Sequence, residues 1–141
     1  MEFHGFKDNN NRFIVKELAV VGKNFQSQIV FRSPYSFYNL NAKMRRTARW
    51  LSRHFHRIKW DDDGVKYNER IIRDLCKPFR VIYTNGVEKA EFLREFHNDV
   101  REITWDHSGE ARSVNCLLPQ HHNNPDANCA LQSAKSFQHN L

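Results

Sequence analysis

Cys116, His121, His122 and Cys129 fall within one short stretch near the end of the chain, in the spacing C-x4-H-x7-C. Thiolate and imidazole are donors that zinc takes, four at a time in a tetrahedron. Cys116, Cys129 and one of the two histidines supply three. His4 or Glu2, from the start of the chain, could supply the fourth. This spacing is not one of the common zinc-finger spacings, and Cys129 also suits a helical core position, where a free thiol is common. A zinc deaminase does not fit, because the sequence lacks H-x-E paired with P-C-x-x-C.

A second constellation is basic. Arg45, Arg46, Arg49 and Arg53 share one side of a helix predicted over 39–55, with Lys43, Arg57 and Lys59 nearby. Met44, Ala48, Leu51 and Phe55 form the opposite, apolar side. Phosphates need fixed cations, and unpaired bases stack on aromatics such as Trp50 at the border of the stripe, or Trp60. The expected partner is RNA or single-stranded DNA, with a plain solvated helix face as the alternative. Asp61-Asp62-Asp63 reads as a turn, since it lacks the calcium-loop spacing.

These residues need elements to hold them. Asn124 suits a helix N-cap and Pro125 the first helical position, which puts Asp126 in the first turn of a helix predicted over 125–138. Ala127, Ala130, Leu131 and Ala134 then repeat at helical spacing. Upstream, a short apolar start over 1–6 and strands over 13–21 and 28–32 are separated by Asp8-Asn9-Asn10-Asn11 and Gly22-Lys23-Asn24. Tight polar turns of that kind predict an antiparallel three-strand meander. A helix over 66–77, a strand over 80–83, a helix over 87–96, a strand over 100–104 and a polar loop over 105–124 follow. The fold class this order predicts is α/β, one domain over 1–141, with a mixed sheet of meander plus parallel strands flanked by helices.

The bulk numbers agree with a folded, anion-seeking chain. Aromatic residues make up 13% of 141 positions, and the net charge is +6. Three cysteines, Cys76 among them, argue against a disulfide framework. No apolar run follows Met1, so neither signal peptide nor membrane span is expected, and the expected setting is intracellular, cytoplasm or nucleus. The first strand begins almost at Met1, which leaves room for a preceding segment.

The element order resembles the ribonuclease-H-like exonucleases of the DEDDh type. His121 and Asp126 have the family's last motif, a His, four residues and an Asp at a helix start, followed here by Ala127 and Ala130. The resemblance implies Glu2 and Asp126 as metal-binding acids and His121 as the general base, with Mg or Mn as the metal in an active enzyme. The other motifs depart from it. The first-strand Asp-x-Glu is matched by Glu2-Phe3-His4, and the middle Asp by Lys89. Lys89 shares the inward face of Phe92, Leu93 and Phe96, where an ammonium would repel divalent cations or pair with Asp126. The Cys/His set is also similar to the Maelstrom domain, a ribonuclease-H-like fold in which a Glu-Cys-His-Cys zinc site replaces the nuclease carboxylates. The expected zinc ligands are Cys116, His121 and Cys129, with His4, or Glu2 in its place, as the fourth.

The expected function is therefore a catalytically degenerate, exonuclease-like nucleic-acid-binding domain that uses Arg45, Arg46, Arg49, Trp50, Arg53 and the cleft residue Lys89. The alternatives are an active metal-dependent 3'-5' exonuclease and a zinc-stabilised protein-interaction domain.

Overall fold

A computed structural model describes residues 1–103, 116, 118–122 and 127–140. Three strands open the chain: β1 (Glu2–Lys7), β2 (Phe13–Gly22) and β3 (Phe25–Arg32). They pair as an antiparallel meander. Asn11 and Asn24 take positive φ in its two turns, a conformation asparagine tolerates well. Asp8 Oδ1 accepts from the backbone N–H of Asn10 and Arg12 and holds the first turn shut.

After a 3-10 turn (Phe37–Asn39) come α1 (Ala42–His54) and the short β4 (Val65–Lys66), which pairs parallel to β3. Helix α2 (Glu69–Cys76) leads to β5 (Ile82–Asn85), α3 (Val87–Leu93) and β6 (Val100–Ile103). Strands β5 and β6 pair in parallel. The start of β1 lies beside β5, where the Met1 amino group donates to the Tyr83 carbonyl at 2.8 Å. Helices α4 (Pro119–His122) and α5 (Ala130–Asn140) complete the described chain. The architecture is mixed α/β, with antiparallel and parallel pairings flanked by helices. Among the described residues no helix is long and apolar enough to cross a membrane.

Several predicted boundaries move, for identifiable reasons. The helix expected from 39 starts at Ala42, because the Asn41 side chain accepts from Met44 N–H and caps it. The helix expected from 66 starts at Glu69, because Asn68 caps it and Val65–Lys66 pair with β3 instead. The strand expected over 80–83 lies at Ile82–Asn85. Gly86 follows it at φ 91, a conformation that favours glycine, and ends the strand where α3 begins. The loop expected over 105–124 contains α4. The last helix starts at Ala130 rather than 125, because the preceding N–H of Asn128 is drawn to the Phe55 carbonyl at 2.8 Å. Asn124, Pro125 and Asp126 lie outside the described residues.

Strand β2 runs through the middle of three cores. Val15, Leu18 and Val20 join Phe3, Phe31, Ile72, Phe92 and Leu93 in one. Ile14 joins Phe6, Ala48 and Trp60 in a second, beneath α1. Ala19 joins Cys129, Ala130, Leu131 and Ala134 in a third, beneath α5. The strand's simple alternation is broken where His4 pairs Glu17 but Gly5 pairs Val15, which leaves Lys16 as an extra, bulged residue. The backbones approach so closely there that a Cβ on Gly5 would collide with the Ile14 carbonyl. The bulge turns Ile14 and Glu17 to the same side of the sheet, with Glu17 between the patches covered by α1 and α5. Lys16 is fully buried, and its ammonium donates to Trp60 O at 2.9 Å and to Ser33 Oγ at 3.3 Å. Burial pulls this ammonium down to about 8.

Candidate metal centre and basic face

Glu17, Cys116, His121 and Cys129 each bring a donor atom to one point, all within 4.8 Å of one another. The cluster could hold a metal ion. Its members come from four places: β2, the residue just described before α4, α4 itself, and the residue ahead of α5. Cys116 is half-buried and the other three are buried.

Hydrogen bonds orient each donor. His121 Nε2 is 2.8 Å from the carbonyl of His56, which can only accept, so Nε2 carries the proton. Nδ1 is left as a lone pair, 3.4 Å from Cys116 Sγ. A carbonyl behind a histidine in this way is the usual device for presenting its other nitrogen to a metal. Glu17 Oε1 accepts from Ala130 N–H at 3.0 Å, at the start of α5. Its Oε2 accepts from Gln28 Nε2 at 2.9 Å and lies 3.8 Å from Cys129 Sγ. Gln28 Nε2 also reaches Cys116 Sγ at 3.4 Å.

The electrostatics ask for a cation. Burial pushes the Cys129 thiol up to about 12, and the charge of Glu17 and the neighbouring Cys116 add to the rise. Burial pushes the Glu17 carboxyl up as well, but His4, the Ala130 N–H and His121 outweigh it and hold the carboxyl below its ordinary range. The donors are thus a buried carboxylate and two thiols in one small space; a bound cation would displace the thiol protons and offset the repulsion between the resulting thiolates and the carboxylate.

His4, expected as the fourth ligand, stands behind Glu17. Its Nδ1 is 3.5 Å from Glu17 Oε1, and its ring meets Phe55 edge-on at 5.1 Å. The structure brings together Cys116, His121 and Cys129 as grouped in the sequence, with Glu17 as the added member. Glu17 was legible only as part of Lys16-Glu17, two charges inside an otherwise apolar strand.

Glu2 is 1% exposed and its oxygens are occupied. Oε2 accepts from Thr84 Oγ1 at 3.0 Å and Asn85 N–H at 2.9 Å, and Oε1 from Lys89 Nζ at 2.7 Å. Lys89 thus meets Glu2, its ammonium also lying 5.6 Å from the Phe3 ring centroid. Asp126, the other acid of the exonuclease set, lies outside the described residues.

On α1, Arg46, Arg49, Trp50 and Arg53 are exposed and Arg45 is half-buried. None of the four arginines makes an ion pair among the described residues. Arg49 lies over the Phe37 ring at 5.0 Å, and Trp50 packs on His54 at 5.6 Å. Comparison of the chain with protein-family models, curated proteins and solved structures finds no match.

Proposed function

We propose that this chain is a zinc-stabilised, catalytically degenerate ribonuclease-H-like domain that binds RNA or single-stranded DNA along the basic face of α1. The observation that carries the binding reading is the row Arg45, Arg46, Arg49 and Arg53. These are cations on one helix face, unpaired among the described residues and bordered by an exposed tryptophan. Unpaired surface cations release little by way of internal partners when they meet phosphate, and each phosphate contact displaces condensed counterions.

The donor set supports zinc as the metal. A tetrahedron with ligands about 2.0–2.3 Å from its centre has edges of about 3.3–3.8 Å. The contacts of 3.4 Å between Cys116 and His121 and 3.8 Å between Cys129 and Glu17 have that size. Two sulfurs and an imidazole are soft donors that magnesium and manganese do not favour. The donors run Glu, Cys, His, Cys along the chain, as the Maelstrom resemblance implies. Four protein ligands leave no open position, so zinc here would cross-link β2, α4 and the start of α5 rather than activate water.

The meander with a parallel pair beside β1 supports the ribonuclease-H-like reading. Loss of catalysis is supported by Glu2, whose oxygens are taken, and by a cluster that holds a single carboxylate. Two-metal phosphoryl chemistry needs several.

Fluorescence anisotropy with labelled single-stranded RNA and DNA tests the binding. The slope of log affinity against log salt should be negative. It should become shallower by about 0.7 for each arginine removed among Arg46→Ala, Arg49→Ala and Arg53→Ala. Binding that ignores salt and survives all three changes would sink the proposal. Magnesium- or manganese-dependent digestion of the same oligonucleotides would overturn the degenerate reading.

A further inference from the structure

A groove runs between the 3-10 turn, α1 and the loop after it, lined by Phe37, Tyr38, Arg49, Arg53, Lys59 and Asp61, with a volume of about 320 Å³. Ligand sites for small molecules begin at about that size. We infer that this groove is a single-nucleotide pocket, in which Tyr38 stacks on an unpaired base and Arg49, Arg53 and Lys59 hold the adjoining phosphates. The inference rests on the nucleic-acid-binding reading and deepens it, because it names the place where a strand is gripped.

Tyr38 is 75% exposed, the largest exposure among the exposed large hydrophobic side chains described. An aromatic ring left in water at the rim of a groove has a free π-face, which every base can cover. Its neighbour Phe37 meets it edge-on at 5.7 Å and is itself covered by the Arg49 guanidinium at 5.0 Å. That stacking steers the guanidinium along the ring, one reason an arginine serves here better than a lysine. Arg49 and Arg53 are one helical turn apart, so they present two cations along the groove. Three cations face one acid, Asp61, and the charge complements a phosphate backbone.

The floor is built before any ligand arrives. Trp60 is 3% exposed, its indole N–H donates to Tyr35 O at 2.8 Å, and its own carbonyl is held by Ser33 Oγ at 2.6 Å and Lys16 Nζ at 2.9 Å. Ser52, which also lines the groove, donates its Oγ to Ile58 O at 2.9 Å. A rigid floor lowers the ordering cost of binding. The groove admits a splayed base, whereas a paired base in a duplex keeps both faces stacked, so single strands are preferred over duplex.

The test compares short single-stranded RNA, single-stranded DNA and duplex of matched length, each labelled at one end, with wild type, Tyr38→Ala, Tyr38→Trp and Arg49→Ala. Tyr38→Ala should weaken single-strand binding by about tenfold without altering the salt slope, and Tyr38→Trp should restore it. Arg49→Ala should make the slope shallower by about 0.7. Tyr38 is exposed, so an unchanged thermal melt of Tyr38→Ala separates lost binding from lost folding. Wild-type binding that Tyr38→Ala leaves unchanged, or equal binding of duplex and single strand, would overturn the pocket alone. Failure of wild type to bind either strand would remove the pocket and the proposed function together.

Discussion

Removing the ammonium of Lys89 should cost more than its surface position suggests. The side chain is 22% exposed, but its partner Glu2 is 2% exposed, and the two meet at 2.7 Å. Breaking a buried ion pair by removing one member costs about 3–5 kcal/mol, because the other charge stays buried. Here Glu2 keeps Thr84 Oγ1 and Asn85 N–H as donors, and water reaches part of Lys89. The expected cost of Lys89→Met, which keeps the stem against Phe3, is therefore at or below the low end, about 2–3 kcal/mol. Glu2→Gln should cost less, about 1–2 kcal/mol, since the ammonium left behind can turn to water. The combined change Glu2→Gln/Lys89→Met should fall within about 1 kcal/mol of wild type, a coupling of about 2 kcal/mol or more. Urea unfolding reads this directly: with a slope of about 1–3 kcal/mol per molar, Lys89→Met moves the midpoint down by about 0.7–3 M. Costs that add to within about 0.5 kcal/mol would show that Thr84 and Asn85 hold Glu2 without Lys89. A rise of the midpoint with manganese that is lost in Glu2→Gln would show that Glu2 is a metal ligand, and would refute the argument that its oxygens are occupied.

Two further outcomes follow from the buried polar groups. Elemental analysis of the purified protein should find about one zinc per chain, lost in Cys129→Ser and in Glu17→Gln, with the melting temperature of wild type falling on chelation; a metal-free protein that melts as before in chelator would remove the zinc proposal. Burial pushes the Tyr67 phenol up to about 12, against an ordinary value of about 10. Between those values the native state keeps a proton that the unfolded chain has lost, so stability falls as pH rises through the window, by up to about 1.4 kcal/mol per pH unit. Tyr67→Phe should remove that slope and, by taking the acceptor at 3.2 Å from Val15 N–H, cost about 1–3 kcal/mol at neutral pH; equal alkaline slopes in urea unfolding would contradict it.

What could be read in the sequence followed local rules. The Asx turn at Asp8 and the asparagines at positive φ marked the meander, and the apolar stripe Met44, Ala48 and Leu51 marked α1 and the face opposite it. Cys116, His121 and Cys129 were legible as a group because they are close along the chain. Glu17 was not, because its meeting with them depends on the bulge at Lys16 and on α5 folding back over β2, at separations of about a hundred residues. The start of the last helix was misplaced for the same reason. Capping chemistry at Asn124 and Pro125 is a local signal. What decides the start at Ala130 is a long-range one, the Glu17 carboxylate accepting its N–H and Phe55 drawing off that of Asn128.

The bond from Ala130 to Glu17 ties α5 to β2, and two others tie the candidate cluster to the end of α1. Glu17 Oε1 holds the first turn of α5, His121 hangs from the His56 carbonyl, and Asn128 from the Phe55 carbonyl. His56 is itself fixed, with Ile58 N–H donating to Nδ1 at 3.1 Å and Nε2 facing Gly5 O at 3.2 Å. Burial lowers this imidazole to about 4, so it stays neutral in the tautomer those bonds require. His121 and the segment before Cys129 are therefore tied to the C-terminal end of α1, and α1 carries the arginines on its outer face. A cation that cross-links the cluster would brace the helix from beneath while leaving Arg46, Arg49 and Arg53 untouched. If the chain binds zinc and oligonucleotides as proposed, metal loss should weaken that binding only as far as it loosens α1, whereas Arg49→Ala should weaken it with the metal in place. Chelation that abolished binding while α1 kept its amide protection would instead place the metal in direct contact with the nucleic acid.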